Sequence, residues 1–316
     1  MKKFDVTALG EILIDFTFAG VSENGERLFE QNPGGAPANV LAAVNALGGK
    51  TAFIGKVGND MHGKFLRETL EKHNIDTSSL IGTDEAFTTL AFVDLAPGGE
   101  RSFSFARKPG ADTTLKAEDI NEEQIKSSKI FHFGSLSLTD EPSKSATLSA
   151  LKIAKENGVT VSYDPNYRAM LWSDEDAAKS GMRLPLDMVD IIKISDEEIK
   201  LLTNCEKVED AAQALHNKGI CVVIITMGEK GAFVSANGEC VYTNAVKTEV
   251  CDTTGAGDCF MGAFLYSVIS KDKALLNLTG EDLKEYASFA NAAASVCVSR
   301  RGAINSMPTK EDIRNC

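Results

Sequence analysis

The stretch Asp252-Thr253-Thr254-Gly255-Ala256-Gly257-Asp258 decides how this chain is read. An apolar run follows it at helical spacing, with Phe260, Phe264 and Val268 in one row and Met261, Leu265 and Ile269 beside it. The spacing predicts a helix with the glycines at its start. Small residues there let free backbone N–H groups approach an anion, and the helix dipole favours negative charge at the same point. Asp258 then puts a carboxylate where phosphate is welcome. That placement makes chemical sense if it takes a proton from a hydroxyl that attacks the phosphate, so the loop points to phosphoryl transfer. A plainer reading stays open from the loop alone: a tight turn with close helix packing, and a first-turn acid favoured by the dipole.

Two better-known phosphate motifs do not fit. Phe260 stands where a dinucleotide-binding Gly-x-Gly-x-x-Gly needs its third glycine, and Val44 stands where a P-loop ending in Gly49-Lys50-Thr51 needs its first.

A chain of 316 residues, 43% hydrophobic and 25% charged, is ordinary for a soluble enzyme built as one large α/β unit or two small domains. A formal net charge of -12 argues against sequence-independent binding to nucleic acid or to an anionic membrane, both of which need basic surface. Seven cysteines without close paired spacing, and no signal-like or long apolar segment, lead us to expect a reduced, cytoplasmic protein. Cys251 and Cys259 flank the key loop and read as small buried thiols. The four histidines lack ligand spacing, so zinc is not expected.

Phe4 to Leu9 reads as a buried first strand running into Gly10-Glu11-Ile12-Leu13-Ile14-Asp15, with Asp15 near a strand end, where α/β proteins present ligand groups. Two stretches then alternate apolar and polar residues: about 13–31, broken by the turn signal Glu23-Asn24-Gly25-Glu26, and about 88–108, around Pro97-Gly98-Gly99. In the second, Phe103 and Phe105 share one face and Ser102 and Ser104 the other. The two hairpin-like pieces are expected to join in a small sheet, read as a lid over the site. Surface decoration or a dimer contact fits the pattern too.

Between them, Asn32-Pro33-Gly34-Gly35-Ala36-Pro37-Ala38-Asn39 precedes a helix-like run from Val40 to Leu47. Asn39 both donates and accepts, which suits a polyhydroxylated ligand, and it also suits a simple helix cap. Further on, Ser143 to Asn157, Thr160 to Tyr163, Val189 to Ile194, Ile199 to Leu202, Ala211 to Lys218 and Cys221 to Thr226 alternate helix-like and strand-like segments. The expected fold class is therefore α/β, a doubly wound, mainly parallel sheet flanked by helices, with 1–316 as a single domain carrying the small sheet.

Four motifs then occur in the order and spacing of one family: the Asp252–Asp258 loop, Gly34-Gly35 to Asn39, Ile194-Ser195-Asp196-Glu197-Glu198, and Thr226-Met227-Gly228-Glu229-Lys230-Gly231-Ala232. Over nearly its whole length the chain resembles the ribokinase-like carbohydrate kinases, also called the phosphofructokinase B family. The resemblance implies Asp258 as the base on a sugar hydroxyl and the amides of Gly255, Ala256 and Gly257 as an anion hole. It implies Asp15, Gly34, Gly35 and Asn39 as holders of sugar hydroxyls. Thr226, Gly228 and Gly231 fall on the nucleotide loop, and Asn291 falls where the family meets the adenine end. Asp252, Thr254, Gly302 and Ser306 resemble a monovalent-cation site, with potassium the expected ion. Glu198 matches the glutamate of the family's Asn-x-x-Glu motif, tied to magnesium and phosphate.

Ser195 departs from that motif, presenting a short hydroxyl where an asparagine amide is usual, which puts the magnesium geometry in question. Lys193 could lend charge to the nucleotide phosphates or be a solvated lysine at a strand end. Phe105, Arg107, Asn166 and Arg168 fall on positions that line or adjoin the sugar pocket, and their surroundings resemble the fructokinase branch, with ATP as donor and the 6-hydroxyl of fructose as acceptor. Arg168 can serve sugar oxygens or a sugar-acid carboxylate, which keeps 2-keto-3-deoxygluconate as an alternative substrate. An inactive sugar-binding sensor and a dinucleotide-dependent oxidoreductase are the alternatives of other classes. Asp258 and the intact glycines oppose the first, and the missing dinucleotide fingerprint opposes the second. By resemblance alone, a homodimer through the lid is also expected.

Overall fold

The computed structural model describes residues 2–95 and 101–315. The expected turn Pro97-Gly98-Gly99 lies outside the described residues. Thirteen strands follow in chain order: β1 Phe4–Leu9, β2 Leu13–Val21, β3 Arg27–Gly34, β4 Thr51–Gly58, β5 Asp76–Thr83, β6 Leu90–Leu95, β7 Arg101–Ala106, β8 Ser128–Gly134, β9 Thr160–Asp164, β10 Ile191–Ser195, β11 Val222–Thr226, β12 Ala232–Ala236 and β13 Glu239–Thr243.

Nine of them form one sheet in the order β13-β12-β11-β10-β9-β8-β1-β4-β5. Pairing is parallel from β11 to β5 and antiparallel at β12 and β13. Such strands are covered on both faces, which requires near-continuous apolar runs. Ile191, Ile192 and Ile194, and Val222 through Ile225, are all fully buried. Helices Ala36–Ala46, Ala256–Lys271 and Gly280–Val298 bury their apolar sides in one core, and Ser143–Glu156, Glu175–Arg183 and Val208–His216 bury theirs in another. The doubly wound, mainly parallel arrangement expected from the alternation is what forms. Among the described residues, no helix is long and apolar enough to cross a membrane.

The chain leaves β1 toward β4 and β5 on one side and later returns to β8 on the other, so the direction of winding switches between β1 and β8. Ligands of open α/β sheets gather outside the carboxyl ends of the strands at such a switch.

Three local expectations change. The helix after the twin glycines begins at Ala36, ahead of Val40, because Pro37 is tolerated in a first turn where its missing N–H has no role. Asn39 is therefore inside the helix; the cap is Gly35, at φ 115. Asp15 belongs to β2, not to the end of β1: the chain bends at Gly10 and starts a new strand at Leu13.

That new strand builds a second sheet, in the order β3-β2-β6-β7. Pairing is antiparallel within β2/β3 and β6/β7 and parallel between β2 and β6. Phe16 stacks on Phe92, and Phe29 meets Phe92 and Phe18 edge to face. Period-two alternation puts Asp15 and Thr17 on the other face of β2, toward a cavity.

Candidate active site

The cavity, about 430 Å³, opens between the small sheet and the carboxyl edge of the large one, and both sheets line it. Its floor is the loop Asp252–Asp258 and the first turn of the helix Ala256–Lys271. Gly255 precedes that helix at φ 77, a left-handed conformation that glycine adopts without strain. Asp252 braces the loop, accepting from Thr254 N at 2.9 Å, Thr254 Oγ1 at 2.7 Å and Gly302 N at 3.1 Å. The Ala256 N–H makes a long 3.3 Å bond to Thr253 O, one that a better acceptor can displace.

Asp258 is buried at the cavity wall. Its Oδ2 accepts 2.7 Å from Asn39 Nδ2, which joins the two glycine loops. Burial, then repulsion from Asp164, lifts the Asp258 carboxyl to about 6, against the pull of Lys193, Asn39 and Arg168. Asn39 Oδ1 is buried with no hydrogen-bond partner in the protein.

Lys193 is not a solvated strand-end lysine. It is 6% exposed, and its Nζ lies 2.6 Å from Asp164 Oδ2. Burial works against its charge, but Asp164, then Glu198 and Asp258, hold its pKa above the ordinary value. A Cβ built on Gly257 would sit 2.9 Å from this Nζ, so the ammonium is packed against the glycine cradle. By resemblance Asp164 opens the segment Asp164-Pro165-Asn166-Tyr167-Arg168 that lines or adjoins the sugar pocket, with no role of its own assigned; its local signal is a carboxylate closing a buried strand. Its Oδ1 is buried without a partner.

Asp15 lines the same cavity, and burial lifts its carboxyl to about 7, with Arg168 opposing and Asp258 and Asp252 adding to the rise. A Cβ on Gly34 would run into the Asp15 carboxylate, and one on Gly35 would meet Glu11 O at 2.5 Å. Phe105, Asn166 and Arg168 also line the cavity, Asn166 at φ 49. Arg107 does not. Its guanidinium is buried in an ion pair with Asp112 and donates to Leu136 O, so it has no donor aimed at the cavity. Cys259 is buried as expected, but Cys251 is exposed at the cavity mouth, because the loop it belongs to is a surface loop.

The remaining candidates do not line the cavity. Glu198 accepts from Tyr167 N at 2.6 Å and Ser195 N at 2.8 Å, and burial, then Asp164, raises its pKa. Ser195 caps that turn. Thr226 Oγ1 donates to Ile194 O, and Gly228 and Gly231 bend the next loop at φ 57 and 93. Asn291 donates to Thr243 Oγ1 at 3.0 Å and Asn244 O at 3.1 Å, pinning the end of β13. Ser306 is buried behind Gly302 and donates to Ala303 O at 2.8 Å. Among the described residues, no three His, Cys, Asp or Glu side chains cluster as a metal site.

A glycine cradle, a buried carboxylate and a buried ammonium meeting at a helix start form a site suited to phosphoryl transfer. Residues 3–310 match the family described as pfkB family carbohydrate kinase. The chain belongs to that family. This carbohydrate kinase is 43% identical over 318 residues to a protein named probable fructokinase-5 of Arabidopsis thaliana, covering 97% of this chain and 95% of that one. It is 40% identical over 311 residues to fructokinase-1 of Zea mays, covering 98% and 96%. Among solved structures, a fructokinase of Xylella fastidiosa with bound ATP superposes with a TM-score of 0.93 at 32% identity, covering 100% of this kinase and 98% of that chain. A fructokinase of Vibrio cholerae O395 bound to fructose, ADP and a calcium ion superposes at 0.89 and 32%, covering 99% and 98%. A double mutant described for the same organism binds fructose, ADP and a potassium ion; it superposes at 0.88 and 31%, covering 100% and 99%.

Proposed function

We propose that this kinase is an ATP-dependent fructokinase that transfers the γ-phosphoryl group to the 6-hydroxyl of D-fructose. The observation that carries the reading is Asp258, a buried carboxylate at a glycine-capped helix start, held by Asn39 and flanked by Lys193. A base with a pKa of about 6 is ionised at neutral pH yet still basic enough to accept the sugar proton. The amides of Gly255, Ala256 and Gly257, with the Lys193 ammonium, stabilise charge on the transferring group. Asp15, Asn166 and Arg168 take the sugar, with Asn39 Oδ1 as a ready acceptor, and the small sheet closes over it as a lid.

Thr226, Gly228, Gly231 and Asn291 line the path expected for ATP along the edge of β10, β11 and β13. Magnesium carried by the nucleotide would neutralise phosphate charge. The unpartnered Oδ1 of Asp164 fits that ion better than Glu198, whose two oxygens already accept backbone bonds. A potassium ion is the proposed occupant beside Asp252, Thr254 and Gly302, with Ser306 behind them. The aromatic face of the small sheet, with Phe29 37% and Phe92 38% exposed, is the surface a homodimer would cover. A cytoplasmic location goes with this reading.

The test is ATP-dependent ADP release with fructose, ribose, 2-keto-3-deoxygluconate and adenosine. Preference for fructose is expected. Preference for ketodeoxygluconate transfers the reading to Arg168 as a carboxylate clamp, and no turnover with any of them overturns it.

A further inference from the structure

The small sheet is attached to the body at four points. Glu11 lies two residues before β2, Ala36 two after β3, Thr89 directly before β6, and Arg107 directly after β7. One buried polar network reaches all four. Glu11 Oε1 accepts 3.0 Å from Ala36 N. Arg107 Nε donates 2.8 Å to Asp112 Oδ2, and Thr89 Oγ1 donates to Asp112 Oδ1. Glu11 interacts electrostatically with both Arg107 and Asp112. The rest of the Arg107 fork goes to the loop after β8: Nη2 to Leu136 O and Nη1 to Thr139 Oγ1, each at 2.9 Å, with Asp140 at 3.5 Å. The roots of the small sheet are thereby tied to the large sheet next to its switch point.

The side chains are deep in the protein. Glu11 is 2% exposed, Thr89 1%, and Arg107 and Asp112 6% each. There is no slack around them: a Cβ on Gly110 would sit 2.8 Å from Asp112 Oδ1 and 2.9 Å from Arg107 Cγ. A buried ion pair is a poor source of stability, since apolar residues of equal volume do as well or better. What it supplies is a single geometry, and the rigid five-donor fork of arginine specifies that geometry in a way a lysine ammonium does not.

We propose that Arg107, Asp112 and Glu11 are positioning residues for the transfer reaction: they fix the roots of the small sheet and so hold Asp15 and Phe105 at the correct height over the cavity. Their effect passes through the sheet, without contact with sugar or nucleotide. The inference rests on the kinase reading of the cavity, but the hydrogen-exchange readout below does not depend on which sugar is used.

The experiment compares the full-length protein with Arg107→Lys and Asp112→Asn, by amide hydrogen exchange and by steady-state kinetics. Faster exchange is expected within 13–34 and 90–95, with β8 to β11 unchanged. KM for the sugar should rise at least about tenfold, the scale of a small misplacement of reacting groups, while KM for ATP stays put. A sugar defect with unchanged exchange in the small sheet overturns the proposal in favour of direct sugar contact by Arg107. Equally faster exchange in both sheets overturns it in favour of a general stability role. Should those variants not fold, Thr89→Val removes only the hydroxyl bond to Asp112, and the same regional pattern is required of it. A wild-type chain that turns over no sugar defeats the kinase reading, and the exchange pattern still decides the role of the network.

Discussion

Asn39 donates from Nδ2 to Oδ2 of Asp258 across 2.7 Å, joining two glycine loops that lie 219 residues apart in sequence. The bond stabilises the ionised carboxylate and opposes the rise that burial imposes on it. Asn39→Leu removes the donor, so the acid limb of the kcat profile should move above about 6. Turnover is then lost more at pH 6 than at pH 8. Profiles of the two proteins between pH 5 and 9 check this, and an unmoved limb would separate Asn39 from the base.

Asp258→Asn should lower turnover by about 10² to 10⁴, the usual contribution of a positioned base, and leave ATP binding intact. The same change should stabilise the protein at high pH. The folded carboxyl titrates at about 6 and the unfolded one at 3.8, so the native state holds the proton longer. Stability from this group is complete below pH 3.8 and is lost as pH rises through 6, by roughly 3 kcal/mol. The melting temperature of Asp258→Asn should exceed wild type at pH 8 and match it at pH 4. Equal melting temperatures at pH 8 would show that the wild-type carboxyl is not strained there.

Much of this site is legible in sequence because its signals are local. The loop Asp252–Asp258, the apolar strands such as Val222–Thr226 and the period-two alternation of β6 and β7 each declare themselves within a dozen residues. Charges do not. Lys193 and Arg107 look alike in sequence, each a cation in or at the end of a strand-like segment. The first is buried against Asp164, 29 residues away, at the glycine cradle, and the second is turned from the cavity by Asp112. Burial and partner choice are set by tertiary packing, which periodicity does not encode. Asn39 is ambiguous in sequence for the same reason, since a helix cap and a sugar ligand need the same amide, and only the fold brings it to Asp258.

Lys193→Met strands Asp164 as an unpaired buried charge beside Asp258 and Glu198. Breaking such a pair costs about 3–5 kcal/mol. The double variant Lys193→Met/Asp164→Asn removes the stranded charge, so it should recover stability without recovering activity. Urea denaturation with parallel turnover assays tests both halves. A double variant no more stable than the single one would reject Asp164 as the partner that matters.

Asp252 spends its carboxylate oxygens on Thr254 and Gly302, which draws these residues together beside the cradle. If this is where potassium sits, replacing sodium by potassium should raise turnover, and Asp252→Asn should abolish the difference between the two salts. The choline salt serves as the ion-free reference. Equal rates in sodium, potassium and choline would remove the cation from the mechanism.

Gly34 is held to glycine by its neighbour, since a Cβ there would run into the carboxylate of Asp15. Its backbone is not left-handed, so the obstacle is this one contact and not the conformation of the chain. Gly34→Ala should therefore displace Asp15 and raise KM for the sugar at least about tenfold, with KM for ATP unchanged. Shortening the neighbour in Gly34→Ala/Asp15→Ser relieves the contact, so the double variant should melt higher than Gly34→Ala alone while still binding sugar poorly. Melting temperatures that simply add across the two sites would mean that they do not touch, and would undo the placement of Asp15 against the sugar loop.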